Sequence, residues 1–227
     1  MGLPLGAALS LPLVLWVYAG WNLARGFQLR DVIIHASWHN ERVTDAIKRA
    51  QDGTTIRIMQ TWLPEREHLF PLIADEMTRS GKDLTLEVLL MHPGTSDPDA
   101  DDLLAARVRH RDERRAQARA HIIDTIDHLF RMRDRLEKVS GKRGRLDLAV
   151  RCHHTLPFGP IYQVGDERMF VGLYLPTRSS LNAPMIEIRR KESGYWYTFE
   201  QAFLAVWHDA DTVEDVKFGD LVLYDAR

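Results

Sequence analysis

Cys152, His153 and His154 are consecutive, so a thiol and two imidazoles stand at the end of the alternating stretch Leu146 to Arg151. An imidazole exchanges a proton near neutral pH, and a thiolate can attack a carbon or phosphorus centre. No lysine lies close by to neutralise a phosphoryl oxygen, and a strand cysteine ordinarily serves as a small core residue. The sequence therefore completes no catalytic group. His153, His154 and the more distant Asp166 come nearest to one.

A second set of residues suits binding better. Gln60, Thr61 and Trp62 follow the β-branched run Thr54 to Met59, and His92 follows Leu84 to Met91. Ligands of open α/β sheets gather outside the carboxyl ends of such strands. His153, Tyr174 and Arg178 come from the last third, and Arg107 begins a basic stretch that can turn back toward the sheet. Aromatic walls with cationic donors fit an anionic small molecule such as a nucleotide.

Between Arg107 and Arg119 six arginines and His110 face only Asp112 and Glu113. Such a stretch attracts phosphates or anionic lipid headgroups, or is simply a solvated helix face. No aromatics interleave, which argues against nucleic acid as the partner. The formal net charge of −2 adds no global attraction to it. His35 and His39, with Glu41 behind, would face one way on a helix as zinc ligands do. The region reads instead as a strand leaving into a loop, so no metal is expected. Walker A, dinucleotide, Gly-x-Ser-x-Gly and Cys-x-x-Cys patterns are all missing, so no cofactor is expected either.

These residues need elements to hold them. Val32 to Ile34, Thr54 to Met59 and Leu84 to Met91 read as strands, with helices over Glu41 to Gln51 and Pro64 to Arg79. Strand, helix, strand at this spacing is a βαβ unit, so the sheet is predicted to be parallel here. A long helix follows over Asp99 to Val139, with Ile122, Ile126, Leu129, Met132 or Arg133, and Leu136 as its stripe. Leu146 to Arg151 and Met185 to Ile188 are strands. Pro160 to Val164 and Arg168 to Leu173 form a hairpin about Gly165-Asp166. Thr198 to His208 is a helix with a capping box of Thr198 and Gln201. Val216 to Tyr224 is a final edge strand. Composition agrees with a folded domain, at 45% hydrophobic and 27% charged residues. One cysteine excludes an intrachain disulfide, which fits a reducing compartment.

Three stretches resemble the phospholipase D-like superfamily over about residues 28–210. They are TTIRIMQTWLP from Thr54, LEVLLMHP from Leu86, and PFGPIYQVGDERMFVGLY from Pro157. The last is similar to the superfamily's signature strand, turn and strand. Trp207 in a terminal amphipathic helix resembles a degenerate bacterial branch, a domain of unknown function often found on regulatory proteins. The resemblance implies a mixed sheet flanked by helices. In active members, His-x-Lys, four residues and then Asp supply the nucleophile, the charge and the orienting carboxylate. If Gly172 stands where the motif's following glycine does, those positions here hold Phe158, Pro160 and Gly165. None can attack phosphorus, neutralise charge or orient an imidazole. Asp166 is one residue out of register. Active single-copy members pair to complete a site, so the resemblance also implies a homodimer.

Leu3 to Leu23 carries no charged residue, and 21 helical residues span about 31 Å, one hydrocarbon core. Trp16, Tyr18 and Trp21 cluster toward its end, and Arg25 and Arg30 follow. The positive-inside rule then places the bulk of the chain in the cytoplasm. Pro12 kinks this helix; a cleaved signal peptide and a buried core helix are its rivals. The expected organisation is an anchor over residues 1–26 and one α/β domain over 27–227. The expected protein is a single-pass, membrane-anchored, catalytically degenerate phospholipase D-like domain that binds a ligand in a sensory or regulatory role. Two alternatives stand beside it. One is an active phosphodiesterase or hydrolase, nuclease or phospholipase, with substituted catalytic residues. The other is a module whose basic helix docks on lipid or protein.

Overall fold

The computed structural model describes residues 31–94, 112–139, 144–154, 159–172, 183–189, 194–209 and 213–216. The anchor reading over residues 1–26 lies outside them, as do Arg107, Phe158, Tyr174 and Arg178.

Alternating large apolar residues with β-branched neighbours make β2 (Thr54–Gln60) and β3 (Leu84–Met91) strands that bury both faces. They pair in parallel from Thr54↔Leu84 to Gln60↔Leu90. The crossover between them is α2 (Arg66–Ser80), stopped by Gly81 in the left-handed region, whose N–H bonds the Met77 carbonyl at 2.9 Å. β4 (Leu146–His153) adds a third parallel strand, from Leu84↔Leu146 to Met91↔His153. It is reached through α3 (Asp112–Val139). The expected βαβ arrangement is therefore present.

On the other side of β2 the sheet is antiparallel. β5 (Ile161–Val164) pairs with β2 and forms a hairpin with β6 (Arg168–Gly172). β7 (Met185–Ile188) and β1 (Val32–His35) complete that side. β8 (Val213–Asp215) closes the opposite edge on β4. Among the described residues the order is β1-β7-β6-β5-β2-β3-β4-β8, a mixed eight-stranded sheet.

Even-numbered residues of β2 and β3, such as Ile56, Ile58, Leu86 and Val88, face α1 (Asn40–Arg49), α2 and α3. Met59 and Leu89 face the other way and pack with Ile161, Met169 and Val171 against α4 (Gly194–Trp207). Trp196 and Phe203 are fully buried there, each worth about 1.5–3 kcal/mol in burial. The α3 stripe continues through Met132, which is buried; Arg133 lies outward over the Phe130 ring at 4.9 Å.

One expectation needs correction. α4 begins at Gly194, so Thr198 is inside it and donates its hydroxyl to the Gly194 carbonyl at 3.1 Å. It is not a cap, because Tyr195 to Tyr197 are already helical and Trp196 is buried against the sheet. An edge strand lies at Val213–Asp215, paired with the end of β4; of the expected strand Val216 to Tyr224, all but Val216 lies outside the described residues. Among the described residues no helix is long and apolar enough to cross a membrane.

Candidate functional site

The three parallel strands end together, and their last residues build one side of a cluster. β4 runs two residues beyond Arg151, so His153 belongs to the sheet and is fully buried. Its carbonyl accepts the His92 N–H at 2.9 Å, which extends the ladder past β3. His154 is exposed, and its ring stacks on His92 with centroids 4.2 Å apart. The Gly94 N–H donates to Nδ1 of His92 at 3.1 Å. In the neutral ring the proton therefore sits on Nε2, which makes that atom a donor.

α3 supplies the charge. Trp62, just past β2, stacks on His121 at 6.1 Å and 24° and packs on the core. β4 restarts beside Leu84, so α3 runs from the carboxyl ends of the strands toward their amino ends. Its first turns therefore overhang the histidines' end of the sheet. Arg115 and Arg119 share the helix face of Ala118 and Ile122. Arg115 is buried. Arg119 is half-buried, and its Nε and Nη2 atoms are buried with no hydrogen-bond partner among the described residues. The basic stretch does turn an arginine inward; the sequence reading placed that role on Arg107, which lies outside the described residues. Extending the Ile122 stripe backward by three, four and seven residues would have found Arg119, Ala118 and Arg115.

The other side of the β2 end is a buried acid cluster. Gln60 is buried, and its Oε1 accepts the Tyr162 hydroxyl. That hydroxyl also lies 3.3 Å from Oε2 of Glu65, the residue before α2. Burial pushes the Glu65 carboxyl above its ordinary range, opposed by its own backbone amide and by Tyr162. Glu65 and Tyr162 were not singled out by sequence. An acid at a helix start ordinarily faces water, and only its place behind Trp62-Leu63-Pro64 turns it inward.

Other sequence candidates do not join this cluster. Asp166 is exposed in the β5–β6 turn. β5 runs against β2, and Val164 lies opposite Ile56, near the amino end of the parallel strands. Asp166 and the histidines thus sit at opposite ends of the sheet, about 20 Å apart for a strand of this length. They form no common group. Cys152 is fully buried, as a core cysteine is. His35 does not lie beside a metal set; its Nε2 is 3.0 Å from Glu187 Oε2. Among the described residues no group of three His, Cys, Asp or Glu could hold a metal ion. The Pro160 carbonyl accepts the Gly172 N–H at 2.9 Å. A Cβ on Gly172 would come within 2.7 Å of the Pro160 ring, so the two positions pack as a close pair.

The chain matches no family model and no curated protein sequence. Several solved structures are similar to it. The archaeal chromatin protein TrmBL2, whose structure shows a novel mode of DNA binding, is 15% identical, with a TM-score of 0.45 over 93% of this chain and 66% of that one. The phospholipase D family member Nuc from Salmonella typhimurium is 11% identical, with a TM-score of 0.41 over 82% of this chain and 97% of that one. Phosphatidylserine synthase from Haemophilus influenzae is 12% identical, with a TM-score of 0.47. This chain covers 82% of itself in that alignment and spans 39% of the synthase's length.

Proposed function

We propose that this chain is a membrane-tethered domain of phospholipase D-like fold that has lost phosphodiester chemistry and binds an anionic small molecule in a sensory or regulatory role. The fold reading rests on the three sequence stretches and on the mixed sheet they form. The loss rests on Phe158, Pro160 and Gly165 at the catalytic positions. The ligand reading rests on one observation above all: Arg119 buries two guanidinium nitrogens that have no acceptor among the described residues. A buried donor left unpaired costs about 1–3 kcal/mol, and more when charged. A phosphate or carboxylate between Arg119 and the His92 ring would satisfy them. Arg115, Gln60, Trp62 and His153 would shape that end, with Arg107, Tyr174 and Arg178 as further contributors from sequence.

Thermal-shift titration with inorganic phosphate, pyrophosphate and nucleotides tests this. At one hundred times Kd a ligand adds about 2.7 kcal/mol, or roughly 5–10 °C in Tm for a domain of this size. Arg119→Ala should abolish most of that shift and His92→Ala should reduce it. No shift across the anion panel, or an undiminished one in Arg119→Ala, refutes the site. Hydrolysis of a chromogenic phosphodiester that disappears in His153→Ala and His154→Ala would replace the reading with an active enzyme.

A further inference from the structure

Across the Gln60–Tyr162 hydrogen bond from the histidines lies a separate cleft of about 480 Å³ between α1, α2 and the start of β5. Its inner wall is aromatic: Trp38 and Tyr162 pack with centroids 5.1 Å apart, at 53°. Val43 and Leu69 add aliphatic surface. Glu65 lines the same cleft and is only 9% exposed. One of its oxygens, Oε2, lies 3.3 Å from the Tyr162 hydroxyl. The other, Oε1, is buried and has no hydrogen-bond partner among the described residues.

We propose that this cleft binds a protonated organic amine on an apolar frame, its N–H donating to Oε1 of Glu65. Three features select that chemistry. A carboxylate accepts only, so its vacant oxygen calls for a donor. Trp38 and Tyr162 line the same cleft as Glu65, and a cation beside aromatic rings is attracted by their quadrupoles. The acidic residues lining the cleft are Glu41, Asp45 and Glu65, and its one lysine is Lys48; His68 lines it too. Three acids to one lysine leaves an excess of two negative charges. The first turns of α1 and α2 flank the cleft and contribute about half a positive charge each, which does not reverse the balance. An anion is therefore disfavoured here, in contrast to the site at Arg119. The amine must keep at least one N–H, because a quaternary ammonium has nothing to give Oε1.

Isothermal titration of the full-length chain with 2-phenylethylamine tests the proposal, with 2-phenylethanol and the trimethylammonium analogue as matched controls. The amine should bind about 10- to 100-fold more tightly than the alcohol, the range expected for one charge-assisted hydrogen bond. The quaternary analogue should fall between them, keeping the ring contact and losing the hydrogen bond. Glu65→Gln should bring the amine down to the alcohol's affinity. Its Tm should equal or exceed that of the parent, which separates lost binding from lost folding. Lack of amine binding, equal binding of amine and alcohol, or unchanged binding in Glu65→Gln would overturn it.

Discussion

Glu187 is the most heavily engaged carboxylate among the described residues. Its side chain is fully buried, and it accepts from His35 at 3.0 Å, Arg42 at 3.1 Å, Arg189 at 3.0 Å and Arg168. Burial alone would raise its pKa. The hydrogen bonds from His35 and Arg189 and the charges of Arg189 and Arg168 outweigh that and hold it below the ordinary 4.5. A carboxylate with a depressed folded pKa stabilises the fold above its unfolded value and loses that contribution as pH falls through the folded one. Glu187→Gln should therefore destabilise by about 3 kcal/mol at pH 7, the lower end for breaking a buried pair because the arginines keep partial access to water. The gap to the parent should begin to close near pH 4.5 and vanish below the folded value, as read by urea melts across pH. Glu65 has the opposite sign. Its raised pKa means that the folded state holds the proton more tightly, so its contribution is present at low pH and is lost as pH rises through the folded value. Glu65→Gln should be isoenergetic near pH 4 and increasingly more stable than the parent toward pH 8; a constant gap would show that Glu65 does not titrate differently on folding.

At the scale of elements, the site depends on the register of β4. Gly144 stands just before this strand with φ +64. A Cβ there would meet the Lys82 carbonyl at 2.6 Å and the Met77 carbonyl at 2.9 Å, and backbone oxygens cannot swing aside. Arg145 then locks in, its N–H on Asp83 Oδ1 at 2.7 Å and its carbonyl on the Leu84 N–H at 2.9 Å. Gly144→Ala should cost at least about 2 kcal/mol from the left-handed conformation and the clash together. It should also weaken any anion response, because a slip of one residue would turn His153 out of the core and Cys152 to the opposite face. A melt that shows no loss would remove Gly144 as the register device. The strands themselves were legible: β3 and β7 span the apolar runs Leu84 to Met91 and Met185 to Ile188, because burial on both faces leaves a continuous apolar signature. The start of α4 was not, because Gly194 and the aromatics after it have modest helix propensity and become helical through packing on Met59, Leu89 and Met169. The acid cluster was illegible for a related reason. Tyr162 lies 102 residues from Gln60 and 97 from Glu65, and it meets them only through the β2–β5 pairing, which no local pattern encodes.

For the whole molecule, the described residues form two core layers, one on each face of the sheet. Three helices cover one face of the sheet and α4 covers the other, so the described domain buries its own apolar surface. The proposed tether rests on a segment uncharged over 21 residues and followed by Arg25 and Arg30, the pattern a bilayer selects. Full-length protein should therefore sediment with membranes, resist extraction by alkaline carbonate and enter solution with detergent. Deleting residues 1–26 should release a soluble domain whose Tm matches the parent's within about 2 °C, since half a kcal/mol or less of packing is removed. The two measurements separate the rival readings of the segment. A buried core helix would make the deletion aggregate or lose Tm by far more. A cleaved signal peptide would yield a soluble mature chain that lacks residues 1–26, visible by intact mass. Full-length protein that stays soluble without detergent removes the tether, and with it the argument that position at the membrane is part of what the domain reports.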